Sequence, residues 1–197
     1  MGRVSREQAD ENRARILASA ARLFRAQGID GVSVADIMRD CGMTVGGFYR
    51  HFTSKEDLAA QAVSAVFAQA SAAWDKAFEA AGKRNENAVA ALVPRYLGNR
   101  RAAHRCPLLA FAPHADGDET AAAVAQAYAA GAGRLYEQFI GQAPGAQGDD
   151  TDAMVLFAAM IGYRVLEQGA GRTDWVRALE AAINQKSAAL DAASTDA

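Results

Sequence analysis

The stretch SVADIMRDCGMTVGGFYRHFTSK, residues 33–55, decides how the chain reads. Ser33 followed by Asp36 is a capping-box pattern, Val34, Ile37 and Met38 share a face, and Cys41-Gly42 closes the segment, so a short helix over Val34 to Asp40 is predicted. Only Gly42 and Met43 separate it from Thr44, a second cap. Phe48 and Phe52 then stand four apart, which predicts a very short third helix over Val45 to Phe52. Two short helices joined by a glycine turn and packed on a preceding amphipathic helix have the form of a helix-turn-helix, whose second helix enters the DNA major groove. An ordinary helix corner has the same outline. The polar chemistry favours the first form: Thr44, Tyr49, Arg50, His51 and Lys55 can donate to phosphates or base edges, and the helix N-termini at Ser33, Thr44 and Ser54 offer N–H groups to anions.

Working outward, the segments on both sides are helical by pattern. Ser5 with Gln8 is a capping box, and Ile16, Leu17, Ala20, Leu23 and Phe24 keep one face until Gly28, predicting a first helix over Arg6 to Gln27. Ser54 with Asp57 opens a long fourth helix, Lys55 to Ala81, with Val63, Phe67, Ala70, Trp74 and Phe78 on one stripe up to Gly82. A fifth helix opens at Asn85 and is kinked by Pro94 or loosened at Gly98-Asn99; Pro107 starts a sixth that runs to about His114. Asp118 caps a helix ending near Ile140, Gly141 to Asp150 form a loop, and two helices follow, Thr151 to Gln168 and Thr173 to Leu190. The expected fold class is all-α, with a three-helix helix-turn-helix domain over residues 1–54, a helical domain over 55–197 and about nine helices in all.

Composition agrees and narrows the function classes. Of 197 residues 51% are hydrophobic and only 4 are Pro, with a net charge of -2, which excludes a disordered tail or a collagen. The uncharged run from Leu58 to Trp74 carries Gln61, Ser64, Gln69 and Ser71 and reads as an amphipathic helix of a soluble chain, not a span, so no membrane partner is expected. Gly2 is followed by Arg6 where an N-myristoylation signal needs Ser or Thr, and no secretory segment follows, so a cytoplasmic location is expected. There are 2 Cys, too few for a disulfide framework, and no P-loop, Rossmann glycine motif or His-Glu-x-x-His pattern. His104, Cys106, His114 and Asp116 lie close together without standard ligand spacing, so no metal and no cofactor is expected, and with 3 His in all the chain does not read as an enzyme. Up to Ala60 there are 9 basic and 8 acidic residues, so any affinity for a polyanion must come from local placement.

From Arg15 to Leu58 the chain resembles the TetR family of bacterial transcriptional regulators. The block comprises Ile16-Leu17, Leu23-Phe24, the Gly28-Ile29-Asp30-Gly31 turn, Val34-Ala35-Asp36-Ile37, Cys41-Gly42, Thr44 through Phe52, and Ser54-Lys55-Glu56. Residue by residue, the resemblance implies that Tyr49 and Lys55 clamp phosphates, that Ser33 does so through the second helix, and that Thr44, Val45, Gly46, Gly47, Arg50 and His51 face the groove. Gly46 and Gly47 have no side chain to read bases but allow close backbone approach, so direct readout leans on Thr44, Arg50, Val45 against a thymine methyl, and Arg39. Arg3 and Arg6 read equally as a groove-reaching arm or as a solvated tail.

The same resemblance makes residues 55–197 a ligand-binding and dimerisation domain. Phe67, Trp74, Phe78, Tyr96, Phe111, Tyr128, Phe139, Met160 and Tyr163 are the candidate lining of an effector cavity, each equally readable as plain core. Met154, Phe157, Ile161, Val165, Val176, Leu179 and Ile183 recur at helical spacing with small Ala158 and Gly162 between them, suiting a helix-pair interface; the resemblance implies a homodimer through the last two helices. The function implied is a homodimeric repressor on a palindromic double-stranded DNA operator, released by a small hydrophobic or electrophilic effector. Two alternatives stand beside it. Cys106, after His104 and Arg105 and at a helix start, sits where some electrophile- or oxidant-sensing relatives place a cysteine, so it is a candidate redox sensor, with Cys41 expected to be inert, although a small buried capping residue is the more ordinary reading of a free cysteine. A helical binding protein or enzyme with a structural N-terminal corner is the other.

Overall fold

The structure, a computed structural model, describes residues 6–98, 105–115, 122–143 and 151–193. Every regular element among them is helical: α1 (Arg6–Gln27), α2 (Val34–Asp40), a 3-10 helix (Val45–Arg50), α3 (Lys55–Lys83), α4 (Ala88–Gly98), α5 (Pro107–Phe111), a 3-10 turn (Ala112–His114), α6 (Ala122–Ile140), α7 (Thr151–Ala170) and α8 (Asp174–Ala193). The fold class is all-α, as the patterning predicted. Ser5, Arg3, Asp118, His104, Asp116 and most of the Gly141 to Asp150 loop lie outside the described residues.

The departures from the sequence reading have local causes. The third helix is not an α-helix over Val45 to Phe52 but a 3-10 helix over Val45–Arg50, closed by Gly47 N–H to Thr44 O (3.0 Å) and His51 N–H to Phe48 O (2.9 Å). Gly46-Gly47 contributes almost no helix propensity, and six residues are too few to offset that. Thr44 occupies the N-cap position without a side-chain cap bond. α3 runs on through Gly82 to Lys83, and Asn85, with φ of 56°, supplies the left-handed turn after it. α4 therefore starts three residues later than Asn85, capped by Asn87 Oδ1, which accepts from Val89 N (2.9 Å) and Ala90 N (3.0 Å). Pro94 is accommodated inside α4. The sixth predicted helix breaks into α5 and the 3-10 turn, where Pro113 lacks an N–H.

The described residues fall into two compact units, one drawn from 1–68 and 101–131, the other from 69–100 and 132–197. In the first, α1 packs on α2 and on α5, and α2 packs on the 3-10 helix. Its core holds Ile16, Phe24, Ile37, Met38, Phe48, Phe52 and Leu58, all buried. Phe48 and Phe52 stack at 5.8 Å, and the Arg13 guanidinium lies 4.9 Å from the Phe52 ring centre. Gly42, at φ 67°, makes the turn between α2 and the 3-10 helix. At the other end of α1, Ile29 N–H donates to His114 Nε2 (3.2 Å) and Arg25 Nε donates to the Arg105 carbonyl, so residues 105–114 are tied to α1 and its following turn at two points. In the second unit α4, α7 and α8 pack on one another. Val176 and Ile183, expected at a helix-pair interface, are buried within this unit.

Phe48 is fully buried, so Phe48→Ala should lower stability by about 3 to 5 kcal/mol, read by thermal or urea unfolding of the full chain. Unchanged melting would put the ring outside the core.

Candidate nucleic-acid interface

Four of the basic residues of α1, Arg13, Arg15, Arg22 and Arg25, are used inside the fold. Arg13 donates to Gln61 Oε1, Arg15 Nη2 to the Cys41 carbonyl (2.6 Å), and Arg22, together with Ser19, to Asp40. The hydrogen bond from Arg22, then that from Ser19, holds the Asp40 carboxyl below the usual carboxylate range. These contacts fix α1 to α2 and to the start of α3.

Ser33 caps α2 as the sequence predicted. Asp36 N–H donates to Ser33 Oγ (3.1 Å), and Ser33 N–H donates to Asp36 Oδ2 (3.0 Å). The Ser33 hydrogen bonds, more than the Arg39 charge, keep Asp36 ionised. Arg39, a candidate base reader, is paired with Asp36. At the entry to α3, Asp57 N–H donates to Ser54 Oγ (3.1 Å) while Asp57 Oδ2 accepts from Thr53 N and Oγ1 (both 3.0 Å), so the reciprocal cap goes to Thr53. Gln61 Nε2 donates to Asp57 Oδ1 (2.7 Å), which joins this cap to Arg13.

Between these two capped helices the 3-10 helix presents the candidate contact residues on two faces. Val45 and Tyr49 project outward, 46% and 72% exposed, with Gly46 beside them; the Tyr49 ring meets Phe48 edge-on at 5.1 Å. Thr44, Gly47, Arg50 and His51 turn the other way and line a notch of about 340 Å³. Its opposite wall is α1, through Ala9 and Asn12, and Met38 and Met43 complete it. Asn12 carried no signal in the sequence, because nothing along the chain links a polar residue on the first helix to the third. Arg50 and Lys55 have no hydrogen bond or ion pair among the described residues, unlike Arg13, Arg15, Arg22 and Arg25 of α1.

The candidate lining residues do not form one set. In the first unit Phe67 meets Tyr128 at 5.6 Å, Tyr128 donates to the Leu108 carbonyl (3.1 Å), and Phe111 is buried. A Cβ on Gly131 would stand 2.2 Å from Phe67 Cγ, so α6 passes Phe67 at glycine distance. In the second unit Trp74 contacts Phe78, Tyr96 and Phe139, and Phe139 contacts Phe157. Met160 is buried in the same unit, and the Tyr163 hydroxyl is engaged with Glu180 Oε2 (2.9 Å). Cys106 is the buried N-cap residue of α5. Burial lowers the pKa of the neighbouring Arg25, with the Cys106 charge opposing; burial raises that of Tyr128, with Cys106 adding to it. No cluster of three or more His, Cys, Asp or Glu suited to a metal occurs among the described residues, and no helix there is long and apolar enough to cross a membrane.

Residues 16–62 match the family model for bacterial regulatory proteins of the tetR family. The HTH-type transcriptional regulator AcrR of Shigella flexneri is 41% identical over 58 residues, 29% of this chain and 27% of that protein. The chain thus aligns with about a quarter of the length of the curated relatives it matches. A TetR-family transcriptional regulator from Cytophaga hutchinsonii has a similar structure over 96% of this chain and 98% of its own, with TM-score 0.75 and 17% identity. The reduced form of Escherichia coli NemR is similar over 89% of this chain and 97% of its own, with TM-score 0.70 and 15% identity. At such identities the likeness is one of fold, and it extends through the part of the chain that the family model does not reach. Residues 16–62 are thus similar to the helix-turn-helix of the bacterial regulatory proteins of the tetR family, and over the rest of the chain the likeness to solved structures is one of all-α fold.

Proposed function

We propose that the chain is a DNA-binding transcriptional regulator, acting as a homodimeric cytoplasmic repressor that a small effector releases from its operator. The observation that carries this reading is the contrast in how its cations are used. Arg13, Arg15, Arg22 and Arg25 of α1 are spent on internal contacts, while Arg50 and Lys55, at the end of and just past an exposed 3-10 helix, make no hydrogen bond or ion pair among the described residues. Cations left without carboxylate partners beside Thr44, Tyr49 and His51 suit a phosphate backbone and base edges. In this reading residues 1–54 dock on DNA and Ser33 acts through the backbone of its capped helix, since its own N–H and hydroxyl are engaged with Asp36.

Residues 55–197 supply dimerisation and effector binding. Val155, Val165, Leu166 and Trp175 are exposed on α7 and α8, with Ala158 and Gly162 among them, and such a surface suits burial against a second copy in a four-helix bundle. Two recognition segments then read two half-sites of a palindrome. The aromatic cluster around Trp74 suits a hydrophobic effector, which needs roughly 5 kcal/mol of differential binding between DNA-competent and incompetent states to empty the operator.

A second reading is favoured by one feature. The Cys106 thiol lies at the start of α5 near the half-buried Arg25 guanidinium, a setting that favours a thiolate toward an electrophile or oxidant, and residues 105–114 are tied to α1.

On operator DNA, Lys55→Ala should weaken binding to all sequences and lower the magnitude of the salt slope by about 1, whereas Arg50→Ala should relax preference at defined base pairs. Gel-shift titrations at several salt concentrations read both. Wild-type binding by both variants would leave the helix corner structural and favour a helical binding protein or enzyme. Trp74→Ala should blunt effector release while leaving operator affinity intact. For the thiol reading, a quinone or hypochlorite should release DNA from wild type and from Cys41→Ser but not from Cys106→Ser; release that persists in Cys106→Ser ends that reading.

A further inference from the structure

The notch between α1 and the 3-10 helix has a chemically one-sided lining. Its polar groups are the Asn12 amide, the Thr44 hydroxyl, the Arg50 guanidinium and the His51 imidazole, and no carboxylate is among the lining residues. Asn12 Oδ1 accepts from Gln8 Nε2 (3.4 Å), which leaves its Nδ2 as the free donor. Thr44 makes no side-chain cap bond, so its hydroxyl is also available. Two uncharged donors beside two cationic or protonatable groups, above a floor of Met38 and Met43, match an anion carried on an apolar ring.

Gly47 adds an independent observation. Its backbone is not left-handed, and a Cβ built there would meet only Met38 Cε, at an ordinary 3.7 Å. The interior of the protein therefore places no demand for glycine at 47. What a larger side chain would do is fill the notch.

We infer that the notch receives one sugar-phosphate of the DNA backbone, with Asn12 Nδ2 and Thr44 Oγ1 donating to the phosphate and the methionine floor against the deoxyribose. Asn12, on α1, is then a DNA-contacting residue, and Gly47 is glycine to keep the notch open. The inference rests on the helix-turn-helix docking proposed above and adds a contact from outside its two short helices. An uncharged contact of this kind positions the protein on the duplex without reading sequence and without releasing a counterion.

The test uses the full chain and a duplex recovered by selecting genomic fragments on the wild-type protein, prepared in versions with one phosphate at a time replaced by methylphosphonate. Asn12→Ala should weaken binding about ten- to hundred-fold on this duplex and on unrelated DNA, with the salt slope unchanged. At one phosphate per half-site the methylphosphonate penalty seen with wild type should shrink in Asn12→Ala. Gly47→Leu should lose at least as much affinity while its melting temperature stays at the wild-type value. Wild-type affinity and an unaltered phosphate pattern for Asn12→Ala, alongside a weakened Lys55→Ala, overturn the inference and leave the docking intact. Failure of the wild-type protein to retain any fragment, or undiminished binding by Lys55→Ala and Arg50→Ala, overturns the docking itself.

Discussion

A six-residue 3-10 helix with two adjacent glycines has no stability of its own, so everything its surface does rests on the burial of Phe48 and, just beyond its end, Phe52. Their rings stack on each other beneath the segment, and Arg13 covers Phe52 from α1. The two aromatic anchors and the short i to i+3 bonds leave one rotational setting, in which Val45 and Tyr49 point out while Thr44, Gly47, Arg50 and His51 face α1. A helix long enough to stand alone would need less from the core. Here the core determines the direction of every candidate contact.

The polar interactions around this segment divide the labour. Asp36, Asp40 and Asp57 are each held ionised by hydrogen bonds, from Ser33, Arg22 and Thr53 foremost; Asp36 and Asp57 cap the starts of α2 and α3, and Asp40 ties the end of α2 to α1. Because Arg13, Arg15, Arg22 and Arg25 of α1 serve as donors in this scaffold, a unit with nearly balanced charge still leaves Arg50 and Lys55 without a hydrogen bond or ion pair among the described residues. Net charge is a poor guide to such a surface, since what matters to a polyanion is which cations lack a partner and where they stand.

The second unit shows the opposite use of aromatic residues. Trp74, Tyr96, Phe139 and Phe157 are gathered by α3, α4, α6 and α7, each contributing one or two rings. Phe67 and Tyr128 were indistinguishable from these in the sequence, because all of them fall on apolar helical stripes. Only folding sorts them into the first unit, where Gly131 allows α6 to approach Phe67 closely.

The sequence by itself determined the all-α class, α1 and α2 to the residue, the Ser33 cap and the Gly42 turn, because caps, periodicity and turn residues act between near neighbours along the chain. It also marked Thr44 to Lys55 as the segment to watch. The 3-10 form of the third helix was half visible in Gly46-Gly47, but its two faces were not, since an isolated segment that short has no preferred side. Only the tertiary structure decided that Asn12 stands across a notch from Arg50, that Arg25 lies beside Cys106, and that His114 accepts a hydrogen bond from Ile29. Those partners are tens of residues apart, and packing, which no local spacing encodes, is what brings them together.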